Sequence, residues 1–213
     1  MPNIIIDGRR KKIKDGRTIL EAAREMGIAI PTLCFHEALT PAGACRLCVV
    51  EVKIAGRVKI MASCVTPAEE GMSIKTNSEK IINIRRVLLE LLLARCPDVG
   101  IIKKMAKEAG IEKTPYLQED EDCFLCGLCV RACQQIVGMN AIGFANRGVE
   151  EIVAPPFSEG AATCISCGTC TTVCPAQTFK VGKIDRTVSI HTFAQKILDR
   201  RCSVCENHYS STE

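Results

Sequence analysis

The spacing Cys-x2-Cys-x2-Cys-x3-Cys occurs twice in the chain. It runs through Cys123, Cys126, Cys129 and Cys133, and again, 41 residues on, through Cys164, Cys167, Cys170 and Cys174. Eight thiolates in two identical runs can hold two 4Fe–4S cubes, with one sulfur ligand for each iron. Three closely spaced cysteines on one turning loop bind three corners but cannot reach round to the fourth. In a tandem pair the fourth cysteine therefore ligates the other cube. On that logic Cys123, Cys126, Cys129 and Cys174 hold one cube, while Cys164, Cys167, Cys170 and Cys133 hold the second. Gly127 and Gly168 lie inside the loops, where a small residue lets backbone N–H groups turn toward sulfur. Pro175 follows Cys174, as bacterial two-cluster runs expect, whereas Gln134 after Cys133 departs from the pattern. Zinc on paired CxxC elements is the competing chemistry.

A third set, Cys34, Cys45, Cys48 and Cys64, has the spacing Cys-x10-Cys-x2-Cys-x15-Cys. This is not the plant-type spacing, but the setting has the same logic for a 2Fe–2S centre. A loop after a helix presents the first thiolates and a strand end presents the last. Pro41, Ala42, Gly43 and Ala44 keep that loop compact. Zinc is again the rival. Three cysteines remain. Cys96 ends an apolar helix and reads as a buried thiol. Cys202 and Cys205 form a CxxC with His208 close by, an incomplete metal site, since about four ligands are needed. A site completed by a partner subunit, a pairing of two tails, an exposed redox dithiol and a tail with no role all stay open. His36 reads as a surface residue, and His191 has no partner visible in sequence. There is no GxGxxG after a strand, no Walker loop and no nucleophile–base pair, which favours a carrier over a catalyst.

The elements that must position these thiols are short. Residues 3–6 and 10–14 flank the turn dipeptide Asp7-Gly8 and predict a hairpin. Thr18 and Glu21 have the spacing of a capping box, opening a helix that runs to Met26 and stops at Gly27. Residues 47–53 and 57–61 predict a second hairpin through Ala55-Gly56, with a short strand near Met72–Lys75. Residues 79–95 carry Ile81, Ile84, Leu88, Leu91 and Leu92 at helical spacing, and Cys96-Pro97 ends that helix. A shorter helix follows over Val99–Ala109. A hairpin is expected around Arg147-Gly148 and a short helix near residues 192–200. The fold class is α+β, divided into a 2Fe–2S domain at 1–78, a helical bridge at 79–118, a two-cluster domain at 119–185 and a tail at 186–213.

Composition agrees with bound metal. Fifteen cysteines stand beside no Trp and eight Phe plus Tyr in 213 residues, so the core needs more than aromatic side chains. Cluster ligation supplies folding free energy of its own. No secretory signal opens the chain and no stretch is long enough to span a bilayer, so a cytoplasmic protein without membrane insertion is expected. An odd cysteine count without an export signal argues against a disulfide scaffold. The formal charge of +4 falls to about −2 once three clusters of about −2 each are bound. Nucleic acid is therefore not an expected partner.

The segment PTLCFHEALTPAGACRLCVVEV resembles the 2Fe–2S domain of the large iron–sulfur subunit of respiratory complex I, of iron-only hydrogenases and of the diaphorase iron–sulfur subunit of NAD-reducing hydrogenases. CFLCGLCVRACQQIVGMNAIGFANRG followed by CISCGTCTTVCPA is similar to the two-cluster module those proteins carry next. The resemblance covers residues 1–185. It implies a β-grasp fold for the first domain and a ferredoxin-like fold for the second. It further implies one 2Fe–2S and two 4Fe–4S clusters, and electron relay with a flavin- and NAD(P)H-binding subunit. Most relatives hold an extra cluster on one His and three Cys between these modules. Residues 65–122 contain only Cys96 and no His, so that cluster is expected to be missing. The sequence stops where relatives continue into a catalytic domain, so no hydrogenase or formate dehydrogenase activity is expected in this chain. The favoured reading is an electron-transfer subunit between a flavin subunit and a catalytic oxidoreductase partner. A free polyferredoxin and a redox sensor are the alternatives, and soluble ferredoxin is a further candidate partner.

Overall fold

A computed structural model describes residues 1–155, 164–165 and 167–178, together with the backbone of four strands beyond them. The chain divides into two compact units, Met1–Phe35 with Pro41–Cys126, and His36–Thr40 with Gly127–Glu213.

The first unit is built on a five-stranded mixed sheet. Strands β1 (Asn3–Ile6), β2 (Arg9–Lys12), β3 (Val49–Ile54), β4 (Arg57–Ala62) and β5 (Ser73–Lys75) lie in the order β2-β1-β5-β3-β4. Only β1 and β5 are parallel within it; the other neighbours are antiparallel. Both hairpins turn where the dipeptides predict, with positive φ at Asp7 and Gly8 and at Ala55 and Gly56. Asp7 also accepts from the Thr76 backbone N–H at 2.8 Å and the Thr76 hydroxyl at 2.6 Å, which ties the first turn to the end of β5. Alternation in the strands puts Ile4, Ile6, Val50, Val52 and Ile74 into one core. Helix α1 (Ile19–Glu25) closes that core with Ile19, Leu20, Ala22 and Ala23. Its capping box is complete: Thr18 Oγ1 accepts from the Glu21 N–H at 3.2 Å, and Glu21 accepts from the Thr18 N–H at 2.7 Å.

Helix α2 (Glu79–Arg95) has the predicted span, but its buried face differs. Ile81, Arg85, Leu89, Leu93 and Ala94 are buried, while Leu91 is exposed and Ile84, Leu88 and Leu92 are half-buried. The i, i+4 row through Arg85 faces inward because that guanidinium finds hydrogen-bond acceptors there. Helix α3 (Gly100–Glu108) follows, and residues 114–126 then run along α2. Thr114 Oγ1 donates to the Glu90 carbonyl at 2.8 Å, and Glu119 N–H to the Ala94 carbonyl at 2.8 Å.

In the second unit, α4 (Leu128–Ala132) runs into a π-helical turn at Cys133–Val137, which the sequence does not announce. Strands β6 (Gly143–Ala145) and β7 (Ile152–Ala154) form the expected hairpin. Helix α5 (Thr169–Val173) packs on α4. Strands β8 (Val181–Ile184), β9 (Thr187–Ile190), β10 (Ile197–Arg201) and β11 (His208–Thr212) make an antiparallel sheet in the order β11-β10-β9-β8. The helix expected near 192–200 is corrected over residues 197–200, where Ile197–Arg201 is a strand paired with the next one along the chain, His208–Thr212; residues 192–196 lie outside the described residues. Among the described residues no helix is long and apolar enough to cross a membrane.

Candidate iron–sulfur centres

The sheet brings Cys48 and Cys64 together. Cys48 immediately precedes β3 and Cys64 follows β4 by two residues, while Val49 pairs with Ala62 across the ladder. Closing that ladder leaves the two Sγ atoms 3.3 Å apart and both residues buried. Cys34 and Cys45 come from the loop between α1 and β3, and the Cys45 N–H donates to Cys34 Sγ at 3.3 Å. The Cys45 thiol is pulled down to about 5 by a hydrogen bond from the Cys34 thiol, supported by backbone donors at Leu33 and Leu47. Cys34 is pushed up by the same shared bond and by burial. Cys48 is likewise lowered to about 6 by its bond with Cys64, which is itself raised. Among the described residues no three Cys, His, Asp or Glu side chains converge on a point suited to a single ion. Two thiol pairs instead match a two-iron centre, in which each iron takes two protein sulfurs. The donor set fits a 2Fe–2S cluster.

The second unit carries the internal repeat in three dimensions. Gly127 and Gly168 both adopt the left-handed conformation, with φ of 68° and 73°, and both open a short helix bearing the next cysteine of the run. Glycine reaches this region without the steric penalty of a Cβ. Cys133, Cys164, Cys167 and Cys170 line one cavity of about 40 Å³. Val137, Met139, Ala141, Ile142 and Ile165 make the rest of its wall almost wholly apolar. The cavity gathers the four cysteines expected for the second cube, including the one borrowed from the other run. Burial pushes the Cys170 thiol up to about 11, so an empty site there holds its proton and a metal must displace it. Cys133 Sγ accepts from the Ala141 N–H at 3.3 Å. An apolar cavity with four soft donors fits a cube.

The first cube's expected cysteines divide between the units: Cys123 and Cys126 in the first, Cys129 and Cys174 in the second. The Leu125 N–H donates to Cys123 Sγ at 3.4 Å. Within the first unit, Cys45 and Cys126 line one groove with Leu88, Leu91, Leu92, Arg95 and Phe124. Cys96 is buried, and desolvation pushes its thiol up to about 12, as an inert core thiol would be. His36 is exposed, as expected of a surface residue, and its Nδ1 accepts from the Ala38 N–H at 3.2 Å. Cys202, Cys205, His191 and the side chain of His208 lie outside the described residues. Sequence reasoning missed Arg85, because a charge inside an apolar helical pattern reads as the solvent face.

Comparison with known proteins places two families along the chain. A 2Fe-2S iron-sulfur cluster binding domain matches residues 2–79, and a 4Fe-4S dicluster domain matches residues 122–178. The HndD component of the NADP-reducing hydrogenase of Solidesulfovibrio fructosivorans is 35% identical, over 82% of this chain and 35% of its own length. The alpha subunit of the NADPH-Fe(3+) oxidoreductase of Geobacter sulfurreducens is 34% identical, over 84% of this chain and 24% of its own length. A subunit of the NADH-quinone oxidoreductase of Rhizobium meliloti is 32% identical, over 82% of this chain and 23% of its own length. The chain thus spans about a third or less of these curated relatives. A chain of the NAD+-reducing [NiFe]-hydrogenase, solved in the H2-reduced state, superposes with a TM-score of 0.64 and 31% identity, covering 73% of this chain and 75% of that one.

Proposed function

Because the chain belongs to the family of iron–sulfur proteins in which a 2Fe–2S domain precedes a 4Fe–4S dicluster domain, shared with subunits of NAD(P)-linked hydrogenases and NADH-quinone oxidoreductases, we propose that it relays single electrons inside a multi-subunit NAD(P)H-linked oxidoreductase. Its first domain is then a β-grasp 2Fe–2S module held by Cys34, Cys45, Cys48 and Cys64. Its second is a ferredoxin-like module with two cubes. Cys123, Cys126, Cys129 and Cys174 hold one, and Cys133, Cys164, Cys167 and Cys170 hold the other. The bound clusters supply reversible one-electron chemistry.

The observation that carries this reading is continuity. Cys45 and Cys126 share one groove, and Cys129 and Cys170 lie on the packed helices α4 and α5. Within each unit, cysteines of two different sets thus lie near each other, which suits relay from one centre to the next. The protein's own part is to fix spacing, exclude water and direct N–H groups at sulfur. The contacts to Cys34, Cys123 and Cys133 at 3.3–3.4 Å do the last of these and favour the reduced state.

The partners on this reading are a flavin- and NAD(P)H-binding subunit and a catalytic oxidoreductase subunit. Anaerobic purification at native stoichiometry tests it. A co-purifying flavoprotein and about ten iron atoms per chain are expected. A chain that purifies alone and accepts electrons by diffusion is a free polyferredoxin, and zinc in place of iron removes the relay altogether.

A further inference from the structure

We propose that Arg85 positions the Cys48 loop and sets the reduction potential of the 2Fe–2S centre with a fixed positive charge. This rests on the reading of Cys34, Cys45, Cys48 and Cys64 as that centre's ligands.

Arg85 lies in the middle of α2 on the row Ile81–Arg85–Leu89, and only 9% of its surface is exposed. Its guanidinium donates from Nε to the Leu47 carbonyl at 3.0 Å and from Nη2 to the Val49 carbonyl at 2.9 Å. Those carbonyls bracket Cys48. Leu47 and Cys48 form the turn that the Val49 N–H closes onto the Arg46 carbonyl at 3.2 Å, and a planar fork spans the carbonyls on either side of Cys48 where a lysine could meet only one at a time. Nη1 completes the set with Asn77 Oδ1 at 3.0 Å. All three acceptors are neutral oxygens.

A core helix position of this kind would ordinarily take a leucine. Burying a cation costs desolvation, and an ion pair only sometimes returns it. Here burial lowers the guanidinium's pKa, and the charges that act against that are those of Cys48 and Asp7. Of these two, Asp7 is a fixed charge, whereas Cys48 belongs to the centre itself, whose negative charge grows when an electron arrives. A unit positive charge close by, in a medium of effective dielectric about 20, stabilises that added electron. Removing it should disfavour reduction roughly tenfold, equivalent to about 59 mV for a one-electron couple.

The test uses the full-length, cluster-loaded chain with Arg85→Lys and Arg85→Gln. The potential of the 2Fe–2S signal is followed by paramagnetic resonance in a redox titration, with iron counted in each sample. Expected is a Gln variant displaced about tenfold toward the oxidised state and a Lys variant within about twofold of wild type. A loaded Gln variant shifted less than twofold overturns the proposal, as does a Lys variant displaced as far as Gln. If Gln fails to load while Lys loads at the wild-type potential, the charge requirement stands. If neither loads, Arg85 is a structural clamp only and the potential-setting role falls. A wild-type chain with no 2Fe–2S signal overturns the site reading itself, a result distinct from all of these.

Discussion

Exchange of the fourth ligand between the two cysteine runs can be tested by counting iron. The cavity in the second unit joins Cys133 to Cys164, Cys167 and Cys170. If Cys133 serves that centre, it is a member of one four-ligand unit, and effects within such a unit are not additive. The wild-type chain should bind about ten iron atoms. Replacing Cys164, Cys167 and Cys170 together by Ser removes one cube and leaves about six. Adding Cys133→Ser to that triple variant should leave the count at about six, because the ligand's only partner is already gone. Adding Cys174→Ser instead attacks the remaining cube and should lower the count toward about two. Anaerobic reconstitution followed by iron and sulfide analysis, with Mössbauer spectra to separate cubes from the 2Fe–2S centre, reads all four samples. The reverse pattern, with Cys133→Ser costing a further four or so irons and Cys174→Ser costing none, would falsify the exchanged arrangement.

Other expectations follow from single contacts. Thr18→Ala removes the acceptor for the Glu21 N–H and should cost about 1 kcal/mol, read as a lower urea midpoint at unchanged slope. Gly127→Ala and Gly168→Ala each lose about 1–2 kcal/mol to the left-handed backbone. A Cβ at Gly127 also meets Phe144 Cζ at 3.1 Å, whereas at Gly168 the nearest atom is Thr171 Oγ1 at 3.8 Å. The Gly127 variant should therefore melt lower, and Phe144→Leu should narrow the gap; equal melting points would refute the contact. In the iron-free chain Cys45 and Cys48 are lowered to about 5 and 6 while Cys34 and Cys64 stay protonated. Between about pH 6 and an unfolded thiol value of about 8.5 the folded state thus holds fewer protons than the unfolded one. Stability should rise with pH across that window and be lost as pH falls through the lowered values; urea midpoints under reductant that stay flat from pH 6 to 8 would contradict this. Chelating the iron should abolish protection from hydrogen exchange in Leu128–Ala132 and Thr169–Val173 before it does so in β1 and β3.

Much of this site was legible because it rests on local chemistry. Asp7-Gly8 and Ala55-Gly56 turn as their left-handed preference requires, and Thr18 with Glu21 opens α1. The two identical cysteine runs place Gly127 and Gly168 inside their loops, where both are left-handed, but do not announce the short helices that follow. What the sequence hides is non-local. The length of α2 follows from its capping Ser78 and from Pro97, but its inward row depends on acceptors at Leu47 and Val49, 36–38 residues away. Counting Arg85 as polar rotated the apolar face by about one position.

The two units hold their ligands by different means, and this bears on how the chain is assembled. In the first unit a closed aliphatic core of Ile4, Ile6, Leu20, Val50, Val52 and Ile74 exists before any iron is considered. The β3–β4 ladder delivers Cys48 and Cys64 to each other as a by-product of that core, so the metal meets a half-formed site and little ordering remains to be done there. Among the described residues of the second unit the buried apolar side chains are few and small: Leu39, Leu128, Ala132, Ala141 and Ala154. Among these described residues so small a set places little apolar burial against the conformational entropy of the loops around it. The cavity shared by Cys133 and the second run is therefore best understood as the space its cluster must fill, with ligation supplying the cohesion that side chains do not. The first unit's core is therefore expected to form before iron is bound, and the described helices Leu128–Ala132 and Thr169–Val173 of the second unit to depend on ligation.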